Sequence, residues 1–447
     1  MTSCRTRALT WLESPEHRWL VAIVAVGLGL RLGWGLAVLD SLPLSAGDQY
    51  GYVRYGREIA AGEGYVSYTA GTPTAYYPVG YPALLAALFW ATARLPFTVG
   101  IPDAVALLHA VLGTTVVVSV WLLGRRALGA AAALVAAAIV ALHPDLIAYT
   151  ATYAVETAFV SFSLAALAVV GSHDWQLGAP SRGRLLAFGG VLAITTLIRP
   201  FALPFVGALV VAVLLVGAGW RRAAASAGWV LLVVGLALVP WTVRNWVRLD
   251  AFVPISTNLG DTACMARFPG SDGGFTWATH EWCAEPTLPD VERSSENLRL
   301  AAEFVKEHPG EEVRLVGRRL ARMFEHGHSG LFEATANGRG PLDEGLHRTV
   351  RTLSDGWLVG TLLLGVPGLV LVAGRRWRAH PGRVLIVLPA LTLFLIPLGL
   401  WGNPRFAMPL APFLALGAGC SIVAVARAVA GRVAPDHERD LRATGAR

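Results

Sequence analysis

Two acidic residues and two arginines in this sequence have the types and surroundings that chemistry at a membrane surface requires. Asp48 stands in Ala46-Gly47-Asp48-Gln49-Tyr50-Gly51-Tyr52, just beyond the first long apolar block. A carboxylate in that place can take the proton of an incoming hydroxyl, as a general base does. It also reads as a solvated loop aspartate or a helix cap, and its aromatic surroundings weigh towards function. Glu156 falls inside an apolar stretch that begins Tyr149-Thr150-Ala151-Thr152-Tyr153-Ala154-Val155. An ionisable group in a membrane span is costly and marks a functional site by default. The alternative is a carboxylate bonded to neighbouring hydroxyls for structure alone. Arg244 and Arg405 fall at the outer ends of apolar blocks, in Trp241-Thr242-Val243-Arg244-Asn245 and Gly402-Asn403-Pro404-Arg405-Phe406. Arginine on that side runs against the positive-inside bias. A guanidinium matches phosphate bidentately, so an anionic headgroup is one reading, and anchoring in an aromatic belt is the other.

The remaining polar residues narrow the chemistry. Tyr50 and Tyr52 flank Asp48 closely enough in sequence to stack on a sugar ring. Arg31 and Arg199 read as structural, the first snorkelling or pairing with a core carboxylate, the second brought to the interface by the turn at Pro200. Cys4 and Cys420 are isolated, whereas Cys264 and Cys283 share one polar segment and are expected to form a disulfide if that segment lies in an oxidising compartment. His143, His326 and His328 have no spacing that resembles a zinc motif, so no metal or other cofactor is expected, although a divalent ion is chemically possible. There is no P-loop, no dinucleotide fingerprint and no Gly-x-Ser-x-Gly.

The elements that must position these residues are membrane helices. Of 447 residues, 54% are hydrophobic and only 15% charged, and the apolar residues fall in blocks. A bilayer core of ~30 Å needs ~20 apolar residues in a helix. Backbone groups in lipid must be satisfied within the segment, and no alternation suggests barrel strands. The net charge of +7 sits largely in short loops, so it orients the chain and does not imply nucleic acid.

Arg5, Arg7 and Arg18 place the N-terminus in the cytoplasm, and the loop pairs Arg125–Arg126, Arg221–Arg222 and Arg375–Arg376 set the alternation. About ten spans follow, over 19–39, 103–124, 127–143, 150–171, 184–199, 200–217, 223–244, 356–374, 384–400 and 405–429, with both termini cytoplasmic. Tyr81–Leu95 is left as a short helix in the outer leaflet. The expected organisation is an N-terminal transmembrane catalytic module over 1–244 with an external first loop at 40–80. An extracytoplasmic subdomain over 245–355, C-terminal transmembrane helices over 356–430 and a disordered cytoplasmic tail over 431–447 complete it. Within the subdomain, Glu292–His308 and Glu311–Glu325 read as helices divided by Pro309-Gly310, and Ser271-Asp272-Gly273-Gly274 as a turn.

The motifs in their order resemble a family. An Asp follows the first helix. Thr72-Pro73-Thr74-Ala75-Tyr76-Tyr77-Pro78-Val79-Gly80-Tyr81-Pro82 comes next, then Pro144 and the membrane carboxylate Glu156. Trp241-x-x-Arg244-Asn245 is followed by Val253-Pro254-Ile255-Ser256-Thr257-Asn258, and Asn403-Pro404-Arg405-Phe406-x-Met408-Pro409-x-x-Pro412 closes the set. Together they resemble the GT-C glycosyltransferases, and among them the bacterial relatives of the protein O-mannosyltransferases and the lipid A aminoarabinose transferase.

The resemblance implies an all-α polytopic membrane protein. It implies an inverting transferase of a hexosyl or pentosyl group, acting on the outer face of the cell membrane. The donor would be a polyprenyl-phosphate-linked sugar carried in the bilayer, and the acceptor a glycan, lipid or protein. Asp48 would be the general base, and Glu156 would orient donor or acceptor. Tyr52, Tyr77, Tyr81, Arg244, Asn245, Asn258 and Arg405 would bind substrate, with both arginines on the donor phosphate. Gln49 stands where many relatives carry Glu after the Asp, which favours a metal-free site with a single base. The rival reading is a transporter or flippase of lipid-linked saccharide, against which the sequence shows no internal repeat.

Overall fold

A computed structural model describes residues 14–444 apart from 45–46, 68–70, 277–280, 337, 339 and 375–376, with side chains as far as Ala430. Cys4, Arg5, Arg7, Arg375 and Arg376, which entered the sequence reading, lie outside the described residues. The described chain is all-α, without a regular strand, in line with the all-α expectation.

The chain enters through α1 (Pro15–Val38), which has Pro15 at its first turn. Two helices follow, α2 (Gly47–Ala61), which begins one residue before Asp48, and the short α3 (Gly80–Thr92). Then come α4 (Ile101–Leu128) and α5 (Ala130–Ala141), separated by Gly129 at φ 94°, a conformation that favours glycine. Next, α6 (Pro144–Ala148) bends away from α5 by 53°, because Pro144 lacks the N–H that would continue the helix. The membrane part continues with α7 (Glu156–Gly171), α8 (Arg182–Ile198), α9 (Phe205–Leu215) and α10 (Trp220–Leu249). A polar region carries α11 (Leu259–Cys264), α12 (Asp290–Glu307), α13 (Pro309–Met323) and α14 (Ser329–Ala334). The last three helices are α15 (Glu344–Val372), α16 (Val384–Gly399) and α17 (Ala411–Thr444).

Each of the ten expected spans coincides with a helix, but the helices differ in reach. Six are long and apolar enough to cross a membrane by themselves, and α5 with α6 makes a seventh if the bent pair is one span. The sixteen residues of α7 rise only ~24 Å, short of the ~30 Å hydrocarbon core. The expected span over 150–171 fails at its start because Tyr149–Ala151 form a 3-10 turn and the helix restarts at Glu156. Two other boundaries move. The helix expected from 356 begins at Glu344, where Asp343 caps it by accepting from Leu346 N, and α17 runs through Arg432, where a disordered tail was expected.

Arg31 explains how a broken span is tolerated. Its buried guanidinium donates to Gly27 O at 3.0 Å, to Ala141 O at 2.9 Å and to Val140 O at 2.9 Å. The last two carbonyls lie in the final turn of α5, where Pro144 offers no N–H, although Val140 O also accepts from His143 N at 3.4 Å. Arg31 therefore neither snorkels nor meets a carboxylate; it satisfies backbone oxygens that lipid could not. At the other side of the bundle, α15 and α17 touch through small residues. A Cβ on Gly368 would stand 1.8 Å from Gly417 O, so only glycine permits that approach.

The polar region is fastened to the bundle by buried charge. Arg319 donates to Glu312 Oε1 at 2.7 Å and to Leu398 O at 2.8 Å, and Arg267 donates to the same carboxylate and to Gly399 O at 2.8 Å. These carbonyls close α16, so one ion-paired triad caps a helix end and anchors α13 on it. A disulfide joins Cys264, at the end of α11, to Cys283.

Candidate active site

Four charged side chains from four distant segments meet at the end of the bundle beneath the polar region. Asp48 lies in the first turn of α2, where helix N–H groups favour an anion. Tyr77 Oη donates to its Oδ1 at 2.7 Å, and Arg405 Nη2 donates to its Oδ2 at 3.0 Å. Arg405 Nε makes no hydrogen bond and faces Glu156 Oε1 at 3.6 Å. Glu156 Oε1 accepts from Arg199 Nη2 at 2.7 Å. The result is a continuous row, Tyr77–Asp48–Arg405–Glu156–Arg199.

Local sequence sets each member. Arg405 sits in the 3-10 turn Pro404–Phe406, where the Asn403 side chain accepts from Arg405 N at 2.9 Å. Its guanidinium lies 5.5 Å from the Trp401 ring. Arg199 is held extended by the proline that follows it, at φ −155°, and this points it back at the start of α7. Glu156 is not inside a span as expected; it is the first residue of a helix, and it is buried.

Exposure separates the two carboxylates. The Glu156 side chain is 2% exposed, whereas that of Asp48 is 37% exposed and open to an incoming group. Burial pushes the Asp48 carboxyl up, but the Arg405 charge and the bonds from Tyr77 and Arg405 outweigh it and hold the group below the usual carboxylate range. Asp48 is thus an ionised carboxylate within reach of an incoming group.

The tyrosines build the floor of the site and offer no open face to a sugar. Tyr52, Tyr77 and Tyr81 are all buried. Tyr52 packs against Tyr77 at 4.9 Å and against Tyr81 at 5.2 Å between ring centroids. Tyr81 Oη shares a hydrogen bond with His109 Nε2 at 3.0 Å. Tyr52, one helical turn after Asp48, is packed among these rings and buried, where a stacking role on a sugar was expected of it.

Three further expected binding residues are committed elsewhere. Arg244 donates to Thr74 O at 2.6 Å, to Tyr65 O at 2.7 Å and to Asn245 Oδ1 at 3.0 Å, with Trp241 5.0 Å from its guanidinium. Its fork ties the segment 65–74 to the end of α10, so the expected phosphate contact gives way to a backbone clamp. Asn245 is buried and donates to Val253 O at 2.8 Å. Asn258 accepts from Ser256 Oγ at 3.0 Å at the start of α11. Of the three, Arg244 bonds directly to the Thr74–Tyr77 stretch that delivers Tyr77 to Asp48. Thr257 N→Ala75 O at 3.0 Å and the bond from Thr74 Oγ1 to the Asp290 carboxylate complete that support.

The site also contains residues that sequence reasoning passed over. Glu333, on α14, accepts from Gln49 Nε2 at 3.0 Å, while Gln49 Oε1 accepts from Tyr153 N at 2.8 Å. Burial pushes the Glu333 carboxyl up, and neighbouring Glu156 and Asp48 add to this. Gln49 thus links the segment before α7 to the polar region, immediately beside the base. Nothing around Glu333 in sequence marks it. The signal for Arg199 was present, a lone arginine among apolar residues with Glu156 as a complementary charge, and it was read as structural only. Away from this row, His326, His328 and Asp355 are the group among the described residues whose donor atoms come within 4.8 Å of one another as metal ligands would.

The fold has counterparts among solved structures. The oligosaccharyltransferase of Archaeoglobus fulgidus, in its apo form, superposes over 95% of this chain with a TM-score of 0.55 at 16% identity. The two chains share a fold. The chain spans about half the length of that archaeal enzyme, 53%. The same enzyme tethered to an acceptor peptide with an NVT sequon gives a TM-score of 0.52 at 15% identity, covering 93% of this chain and 50% of that one. ArnT from Cupriavidus metallidurans, bound to undecaprenyl phosphate, gives 0.44 at 17% identity, covering 90% and 77%. The family model described as dolichyl-phosphate-mannose-protein mannosyltransferase matches residues 81–243. No curated protein matches the chain in sequence. The GT-C resemblance drawn from the ordered motifs thus holds at the level of fold. The stretch matched by the family model contains Tyr81, Glu156 and Arg199 but neither Asp48 nor Arg405.

Proposed function

We propose that this chain is an inverting glycosyltransferase that moves a sugar from a polyprenyl-phosphate donor to an acceptor on the outer membrane face. The observation that carries the reading is the Asp48–Arg405 pair, a partly exposed carboxylate kept ionised beside a cation at the rim of a membrane bundle. Transfer by single displacement needs both. Asp48 accepts the acceptor hydroxyl proton as the oxygen attacks the anomeric carbon. The bond from that carbon to the phosphate oxygen breaks, and its electron pair leaves with the polyprenyl phosphate. Arg405, in a buried setting where charge is poorly screened, balances the negative charge that builds on the departing phosphate. Glu156 and Arg199 keep Arg405 in place from below. Tyr77 orients Asp48 through its hydroxyl.

A donor carried by a lipid approaches from the bilayer, and the membrane fold suits that route. The likeness to an oligosaccharyltransferase and the partial match to a mannosyltransferase family model support transfer over transport. The test is product release. Purified protein in detergent is given a polyprenyl-phosphate sugar and a panel of glycan, lipid and peptide acceptors. Mass spectrometry is expected to find free polyprenyl phosphate and a glycosylated acceptor in equal amounts. Movement of intact donor across vesicles with no release of polyprenyl phosphate would instead identify a flippase.

A further inference from the structure

The row at Asp48 leaves one cluster of ligand-type side chains unused. His326 and His328 lie in the turn between α13 and α14, and Asp355 faces them from α15. The two imidazoles stack at 4.0 Å between centroids, inclined by 22°. His328 Nδ1 lies 2.7 Å from Asp355 Oδ1, which also accepts from Gly327 N at 2.7 Å. His326 Nδ1 is buried with no hydrogen-bond partner. We propose that His326, His328 and Asp355 bind a divalent cation of the zinc class, which pins α14 to α15.

The donor types carry the assignment. Two imidazoles and one carboxylate suit zinc, which takes three protein donors and leaves a position for water. Face-to-face imidazoles would repel each other if both were charged, so the stack favours the neutral rings that a metal requires. A buried ring nitrogen without a partner is costly, and a cation would supply one. The backbone is also preset. A Cβ on Gly327 would stand 2.3 Å from Ser354 O, so the turn presses directly on α15 and holds its histidines beside Asp355.

The place of the cluster gives the cation a task. It would fasten the entry to α14, whose Ser329 bonds Tyr149 Oη and whose Glu333 holds Gln49 beside Asp48. Gly330 N, on the same helix, donates to Asp145 Oδ1 at 2.5 Å. A cation there acts as a clasp for the polar region and takes no part in the displacement.

The experiment is equilibrium dialysis of the full-length protein in detergent against Zn²⁺ alone, with metal analysis of the retained protein. The expected result is one zinc per chain, with affinity reduced at least ~10-fold in His328→Ala and in Asp355→Asn. Thermal unfolding should shift upward with Zn²⁺ in the unaltered protein and not in these variants. His326→Gln, a milder change, provides the same readout should either variant misfold, as judged by monodispersity. Zinc retention equal in the unaltered protein and in well-folded variants would overturn the proposal, as would no retention at all.

Discussion

Asp48 and Arg405 stand 357 positions apart in the sequence and 3.0 Å apart in the fold. The pair couples the first polar loop to the turn before the last helix. It also places the cation between two carboxylates, with Glu156 on its far side. Removing any one of the three charges therefore changes the setting of the other two, and the variants can be told apart by what each leaves behind.

Arg405 sets the working range of the base. Its charge is the largest influence holding the Asp48 carboxyl down. A base works only when deprotonated, so activity falls as pH drops through its pKa. With Arg405 present, the acid limb of kcat/KM should lie below the ordinary aspartate value of ~3.9. Arg405→Gln removes the cation and leaves burial, which pushes the carboxyl up. The acid limb should move to higher pH, and the maximum rate should fall as well. An unmoved limb would mean that Asp48 is not the titrating base.

Glu156 and Arg199 form a buried ion pair at 2.7 Å. Glu156→Gln leaves Arg199 buried and uncompensated, and breaking such a pair costs about 3–5 kcal/mol. The variant should unfold at lower temperature than the unaltered protein. Glu156→Gln with Arg199→Met, which removes both charges, should recover much of that loss. A double variant no more stable than the single one would show that the pair is not the source.

Arg244 is a clamp on backbone carbonyls, so its replacement should act on stability before it acts on substrate. Lysine keeps the charge and loses the fork that reaches Thr74 O and Tyr65 O. Arg244→Lys is expected to lower the melting temperature while leaving the donor KM within about two-fold, as expected where no phosphate contact is lost. A donor KM raised ten-fold or more with unchanged stability would return Arg244 to the phosphate.

Much of the fold was legible because lipid leaves few options. Apolar blocks must be helices there, and each of the ten expected spans falls on one. What the sequence did not give was length. Glu156 reads as inside a span because the residues from Thr150 on are apolar enough to continue a helix, yet Tyr149–Ala151 tighten and the helix restarts at Glu156. The site was legible in its members and less so in its pairings. Asp48, Glu156 and Arg405 stand out because a charge among apolar or aromatic residues needs a reason. Which charge meets which depends on how α7, α8 and the turn at Pro404 pack, and local sequence carries no trace of that. Arg244 and Arg405 look alike in sequence, each at an apolar block's end within two residues of an Asn, yet one holds carbonyls and the other a carboxylate. Glu333 lay wholly outside reach, since what ties it to the site is a hydrogen bond from Gln49, 284 positions earlier, and the charges of Arg405, Glu156 and Asp48 around it.

The central claim is that Asp48 is the catalytic base, and Asp48→Asn tests it most directly. Asn retains the shape, its Oδ1 can still accept from Arg405, and its Nδ2 can donate to the Tyr77 hydroxyl, which turns to accept, so the fold should persist. It cannot take a proton. With saturating donor and acceptor, turnover should fall at least ~10²-fold, the lower end of what a general base contributes, with donor binding little changed. Near-normal turnover in a well-folded Asn variant would contradict the account and place the base elsewhere, with the Glu333 carboxyl, held in its less acidic state beside Gln49, the next to be tested.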